Sequence, residues 1–392
     1  MNKTEQVYIQ LISNSINQKD KSICFENVSL EQLIDLCKLH RNTGLVYAAM
    51  KNQKNVPAKM LKVFEQGFFT EMMAYSKRMT NFNIVLEELN KRSILHIIVK
   101  GLTYAECYPQ KELRTMGDMD LIIEEKYQNC VKKIFESLGG EYQFDQSSNK
   151  VLNYKLNKTV FEIHNTIGYA ASFNKGYDYE EYFKNAIKEK DLIKENTYEF
   201  SPYYKLIYSI FHIAKHFYES GCGVRMITDM TILIKKYYDI IDKEKFVTDL
   251  KEMGLYDFAI RLFSLCNKWF DLEKKEYLKD FHNIDIIESY IISGGIFGYN
   301  SISADVVKIR KQKNNSYFVS LLKWAFPTYS EMKEHSLWFK DKSPLLLPVA
   351  YVERYVRNVK KRGGAVKWIK GIFRGKKENS NQKNILNIMR LK

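Results

Sequence analysis

Proline and glycine are scarce, six and 18 in 392 residues, so little interrupts helices. The six cysteines, Cys24, Cys37, Cys107, Cys130, Cys222 and Cys266, are scattered without a Cys-x-x-Cys pair, which excludes the usual zinc-site spacing. With no signal-peptide pattern at the N-terminus, they point to a reducing cytoplasm. No run of eighteen apolar residues occurs, so no segment reads as membrane-spanning. Internal repeats and extended low-complexity segments are absent as well. What remains is a packed globular composition, 45 % apolar and 14 % aromatic, long enough for two or three domains. The formal charge of +15 is unevenly placed, with thirteen Lys or Arg against two Glu in residues 351–392. Such a tail suits a polyanionic surface, and equally a solvated terminus.

Residues 1–90 carry apolar positions at three- and four-residue steps, in Val7, Ile9, Leu11, Ile12 and in Leu30, Leu33, Ile34, Cys37, and read as helices. Ser29 with Gln32 forms a capping-box pattern. Phe64, Phe68, Phe69, Met72, Met73, Ile84, Leu86 and Leu89 continue the helical spacing and are expected in the core. The first β run is Ile94 to Val99, ending in Lys100-Gly101, where a glycine permits close approach of backbone or phosphate and Lys100 supplies positive charge. Tyr127 to Leu138 is amphipathic and stops at Gly139-Gly140. Val151–Leu156 and Thr159–His164 form two strands whose link, Asn157-Lys158, suits a hairpin. Helices return after Ser201-Pro202, a good N-cap and first-turn proline. Ser301 to Asn315 reads as a basic surface segment, and Tyr351 to Lys361 as a basic amphipathic helix ended by Gly363-Gly364.

The stretch Arg114-Thr-Met-Gly117-Asp118-Met119-Asp120 runs into apolar Leu121-Ile-Ile123. If Met119 to Ile123 is a strand, Asp118 and Asp120 leave it on one face with α-carbons roughly 6.5 Å apart. Carboxylates so placed can share a hard divalent ion such as Mg2+ or bracket a pair, as phosphoryl transfer requires. In Thr159–His164, alternation puts Val160, Glu162 and His164 on one side, so Glu162 can supply a third carboxylate as bridge or general base. His212 and His216 are four apart and share a helix face, with no third ligand at a standard metal spacing, so helix packing or substrate contact is the expectation. Arg225 and Asp229, also four apart, read by default as a structural ion pair.

The ordered set Lys100-Gly101, Tyr108-Pro109, Arg114, Gly117-Asp118-x-Asp120, Glu162-x-His164, His212 with His216, and Arg225 with Asp229 resembles the nucleotidyltransferase superfamily. More narrowly it resembles an uncharacterised bacterial family often found with surface-polysaccharide genes, over roughly residues 90–360. The chain departs from broader relatives at Gly101-Leu102, where they carry Gly-Ser or Gly-Gly, so Lys100 or Thr103 would take over the triphosphate grip. The resemblance implies an α+β fold, with a small mixed-sheet core at 91–200 between a helical region at 1–90 and a helical domain at 201–345, then a basic amphipathic helix and tail at 346–392. It implies Mg2+ or Mn2+ on Asp118, Asp120 and Glu162, phosphates on Lys100, Gly101, Arg114 and Gly117, and a cleft wall or acceptor site at His164, His212, His216, Arg225 and Asp229. The substrate would be a nucleoside triphosphate and the acceptor a hydroxyl-bearing molecule such as a saccharide or saccharide-lipid. The protein would be cytoplasmic, touching anionic membrane through its tail; nucleic acid is disfavoured because no aromatic-interleaved basic motif appears. A non-catalytic nucleotide-binding module and an Asp-x-Asp glycosyltransferase remain alternatives, the latter weakened because residues 1–90 lack alternating strands and helices.

Overall fold

A computed structural model describes residues 1–144, 147–169, 173–174, 176–219, 221–272, 281–295, 325–335, 337–339, 341–361 and 382–391. The basic segment expected at 301–315 and the Gly363-Gly364 stop lie outside the described residues. Four helices come first: α1 Lys3–Asn17, α2 Leu30–His40, α3 Thr43–Met50 and the 34-residue α4 Ala58–Lys91. Ser29 caps α2 by accepting the Gln32 backbone N–H at 3.2 Å. Then follow β1 His96–Val99, α5 Gly101–Ala105, β2 Asp118–Ile122, α6 Gln128–Ser137, β3 Glu141–Tyr142, β4 Val151–Leu156 and β5 Thr159–His164. After α7 Tyr179–Lys188 come β6 Lys190–Lys194 and β7 Thr197–Phe200. The helices α8 Pro202–Glu219, α9 Val224–Tyr237, α10 Lys243–Glu252, α11 Tyr256–Phe270 and α12 Ile284–Ser293 follow, and two more, α13 Tyr329–His335 and α14 Leu347–Lys361, lie further on.

The fold is α+β, with a seven-stranded mixed sheet ordered β3-β4-β5-β2-β1-β7-β6. β2 runs parallel to β5, and β1 pairs antiparallel with β2 and parallel with β7. The β4–β5 link places Asn157 at φ 46° and Lys158 at φ 70°, the two left-handed residues that match a tight turn to strand twist. β6 and β7 carry no sequence signal of comparable strength. β6 is largely exposed and lies at the sheet edge, so no buried face imposes alternation on it.

One sheet face, with Ile98, Met119, Leu121, Phe161 and Ile163, packs on Phe82, Val85 and Leu89 of α4 and on Val131, Ile134 and Phe135 of α6. From the opposite face Ile97, Val99 and Ile122 join a second core shared by the N-terminal helices and by α7 to α12. The assignment of all the α4 apolar residues to the core is corrected here. Phe64 and Leu89 are buried, whereas Phe69 is 57 % and Met73 63 % exposed. Apolar residues circle the middle of α4, and a helix lying along one surface buries one stripe.

His40 joins three helices. Its Nε2–H donates to the Ile292 carbonyl at the end of α12 (3.0 Å), and its Nδ1 accepts the Val224 N–H at the start of α9 (3.3 Å). Burial, opposed by the Ile292 bond, pushes this imidazole down to about 4. The folded pKa lies below the unfolded value near 6.5, so the stabilisation is complete above pH 6.5 and is lost as pH falls toward 4. Urea unfolding should show His40 removing about 2 kcal/mol between pH 7 and pH 5. A His40→Gln variant should start less stable at pH 7 and lose that much less over the same interval; an equal loss in both proteins would refute the assignment.

Candidate active site

β2 carries Asp118 and Asp120 on one face because Met119 and Leu121 turn to the core beneath α4 and α6. The parallel register sets Asp120 opposite Glu162 and Ile122 opposite His164. Phe161 and Ile163 take the core side of β5, so Glu162 and His164 face the same way as the aspartates. One ligand atom each from Asp120, Glu162 and His164 lies within 4.8 Å of the others, a set able to hold a metal ion. This set has two carboxylates and one imidazole, donors suited to a divalent ion such as Mg2+ or Mn2+, and the expected ligand Asp118 lies outside it, on the same strand face.

Asp120 is the most constrained member. Its Oδ1 accepts Lys100 Nζ at 2.7 Å and His164 Nε2–H at 2.9 Å. Burial pushes this carboxyl up, but Lys100 and His164 outweigh it and hold the group well below the usual carboxylate range. Asp118 moves the other way, raised by burial and then by the Asp120 charge. His164 Nε2 also lies 3.6 Å from Glu162 Oε2, while its buried Nδ1 has no hydrogen-bond partner. Burial lowers the imidazole, and Asp120 and Glu162 more than compensate, raising it overall.

All twelve site residues expected from the sequence line one cleft of about 420 Å³: Lys100, Gly101, Arg114, Gly117, Asp118, Asp120, Glu162, His164, His212, His216, Arg225 and Asp229. The turn after β1 differs from its sequence reading. The left-handed conformation falls on Lys100 (φ 56°, ψ −127°), and a Cβ on Gly101 would meet only ordinary contacts, the nearest at 3.7 Å. Thr103 donates its hydroxyl to the Lys100 carbonyl at 2.9 Å, and Leu102 packs toward the sheet core, so of the two expected substitutes for the missing serine only Lys100 faces the cleft.

The far wall comes from α8 and α9. The rings of His212 and His216 lie 4.5 Å apart and nearly perpendicular. Burial and then His216 push His212 well down; burial also lowers His216, to about 4 against the pull of Glu219, so both are neutral at pH 7. Tyr208, Lys215 and Glu219 line the same wall. They share a face with the histidines at three- and four-residue steps, a signal the sequence carried. Tyr169 and Gly168 come from a loop that carries no such signal. Gly168 has φ +84°, and a Cβ there would stand 2.5 Å from the Tyr179 carbonyl oxygen, so only glycine fits.

The default Arg225–Asp229 pairing is corrected. Asp229 instead accepts Arg114 Nε at 2.7 Å and Nη2 at 2.8 Å, and the Tyr108 hydroxyl at 2.7 Å. Arg225 donates one Nη1 bond to the Thr115 carbonyl at 3.1 Å, and its buried Nε has no partner. Burial and the neighbouring Arg114 push Arg225 down to about 10, still charged at neutral pH. Among the described residues Arg225 has no carboxylate at ion-pair distance, so the cleft holds a guanidinium suited to an anionic ligand.

A mixed sheet that presents neighbouring strand-borne carboxylates to a cleft with lysine and arginine on its walls is an arrangement that suits phosphoryl transfer and could hold a divalent ion. The family model described as "Uncharacterised nucleotidyltransferase" matches residues 26–271, and the chain belongs to that family. The match takes in α2 to α4, which the motifs left aside, but not α1, and ends at Asp271 rather than near residue 360. No curated protein and no solved structure matches the chain.

Arg114 and Asp229 are each 6 % exposed, so removing one charge strands the other. Asp229→Asn should cost about 3 kcal/mol in chemical denaturation. A loss below about 1 kcal/mol, the level of an exposed pair, would refute the structural role.

Proposed function

We propose that this nucleotidyltransferase is metal-dependent and moves a nucleoside monophosphate from a nucleoside triphosphate to a hydroxyl on a saccharide or saccharide-lipid in surface-polysaccharide synthesis. The observation that carries the metal-dependent transfer is the convergence of Asp118, Asp120, Glu162 and His164 on one cleft whose other walls bring Lys100, Arg114 and Arg225. The saccharide acceptor and the pathway rest on the resemblance to the polysaccharide-associated family.

Asp118, Asp120 and Glu162 would hold Mg2+ or Mn2+. When bound, the metal neutralises phosphate charge and makes the acceptor hydroxyl a better nucleophile. The acceptor oxygen attacks the α-phosphorus in line, the bond to the bridging oxygen breaks, and pyrophosphate leaves. Glu162, with its side chain 31 % exposed, takes the hydroxyl proton. Lys100 and Arg225 face the phosphates. Arg114 contributes its charge from a fixed position, because its fork is occupied by Asp229. The neutral imidazoles of His212 and His216 offer acceptor hydroxyls hydrogen-bonding groups that add no charge.

The test is incubation with each nucleoside triphosphate and Mg2+ or Mn2+ beside candidate saccharide acceptors, following pyrophosphate release and product mass. Asp118→Asn and Asp120→Asn should each reduce release by about a thousandfold or more while circular dichroism stays unchanged. Full activity in either variant would overturn the metal assignment. Metal-dependent nucleotide binding retained without turnover would mean that the acceptor is missing from the series, and loss of that binding would indicate the non-catalytic module.

A cytoplasmic protein at an anionic membrane is the accompanying proposal. Among the described residues no helix is long and apolar enough to cross a membrane. Leu345, Val349, Val352 and Val356, spaced as one face along α14 and the turn before it, are 88 %, 54 %, 63 % and 49 % exposed. They lie at the start of the basic 351–392 segment and just before it, a pairing that suits surface adsorption. The protein should co-sediment with phosphatidylglycerol vesicles and less with phosphatidylcholine vesicles. Val352→Asp with Val356→Asp should abolish this; unchanged sedimentation would remove the proposal.

A further inference from the structure

The amine of Lys100 stands where a counter-ion belongs. It lies 2.7 Å from Asp120 Oδ1, and Asp118 and Glu162 also attract its charge. The three carboxylates proposed to hold metal thus act on one ammonium. His164 donates to the same Asp120 oxygen at 2.9 Å, so two protein donors already share one of the two oxygens that Asp120 could offer a metal ion. The Lys100 side chain is only 15 % exposed, and it springs from a backbone of φ 56° and ψ −127°, which glycine adopts freely and a lysine adopts at a cost. A lysine kept in such a conformation and buried against carboxylates points to a use for its amine.

We propose that Lys100 is the internal counter-ion of the metal-free site: its ammonium neutralises Asp120, withdraws when a divalent ion binds, and then pairs with the nucleotide phosphates across the same cleft. This rests on the metal-dependent reading above. The four-carbon stem allows the ammonium to change partners without backbone movement. A metal ion arriving alone must displace an attached cation and binds weakly. A nucleotide gives the displaced ammonium a new partner, so metal and nucleotide strengthen each other's binding, reciprocally by linkage. Lys100 is thereby a positioning residue that sets the order of loading.

The experiment titrates the full chain with Mn2+ alone, reading free Mn2+ by electron paramagnetic resonance, then repeats the titration with a non-hydrolysable nucleoside triphosphate analogue. Lys100→Gly removes the amine and the backbone strain together; Lys100→Met keeps the stem and serves if the glycine variant does not fold. Without nucleotide, both variants should bind Mn2+ about tenfold or more tighter than the wild type. The analogue should tighten Mn2+ binding in the wild type and far less in the variants. Mn2+ affinity in the variants equal to or weaker than wild type overturns the role of Lys100 and leaves the metal reading standing, provided wild-type binding disappears in Asp118→Asn, Asp120→Asn protein. If no Mn2+ binding depends on those aspartates in any protein, the metal reading fails and this proposal with it.

Discussion

The bidentate ion pair between Arg114 and Asp229 ties the loop entering β2 to the middle of α9, joining the two walls of the cleft that both residues line. On one side stands the sheet face with its carboxylates, carried by the inner strands β2 and β5; on the other stand α8 and α9. Two buried charges are tolerable there because each meets the other in fork geometry and the Tyr108 hydroxyl completes Asp229. The same pairing decides which cation is left for a ligand. Asp229 is fully engaged by Arg114 and Tyr108, so Arg225, one turn earlier on α9, turns to a backbone carbonyl and keeps a donor unmet.

Charge in the cleft is sorted by depth and by partner. Asp120 lies deepest and stays ionised through two donors, while Asp118, on the same strand face, has its carboxyl raised by burial and by that charge. Neighbouring carboxylates pushed in opposite directions are a recurring mark of sites that handle charge in a reaction. The histidines divide in the same manner. His164 is raised by two carboxylates, whereas His212 and His216, with burial dominant, are neutral. The neutral rings of His212 and His216 face the charged floor from a wall that also carries Lys215 and Glu219, so one cleft offers both charged and uncharged groups to a ligand.

Much of this was legible in the residues. The alternation of Phe161 and Ile163 with Glu162 and His164 foretold which side of β5 faces the core, and the Asn157-Lys158 turn marked the hairpin. The ordered motifs brought twelve residues to one cleft although 129 positions separate Lys100 from Asp229. What stayed hidden has physical causes. β6 is an exposed edge strand with no buried face to impose a pattern, and the apolar ring around the middle of α4 does not say which stripe will be covered. Tyr169 reaches the cleft from a loop, where no periodicity operates.

Local spacing by itself determined the helices, the strand faces and the shared side of Asp118 with Asp120, because backbone periods of 3.6 and 2 turn sequence distance into direction. Only the tertiary structure decided partners. Arg225 and Asp229 stand one turn apart and should meet by spacing alone, yet a guanidinium fork brought from 115 residues away fits Asp229 with two bonds. Lys100 likewise reaches Asp120 because β1 pairs beside β2, and the left-handed turn falls on the lysine and not on the glycine that follows it. Spacing assigns a direction to each side chain; burial and geometry between distant segments choose which charge it meets.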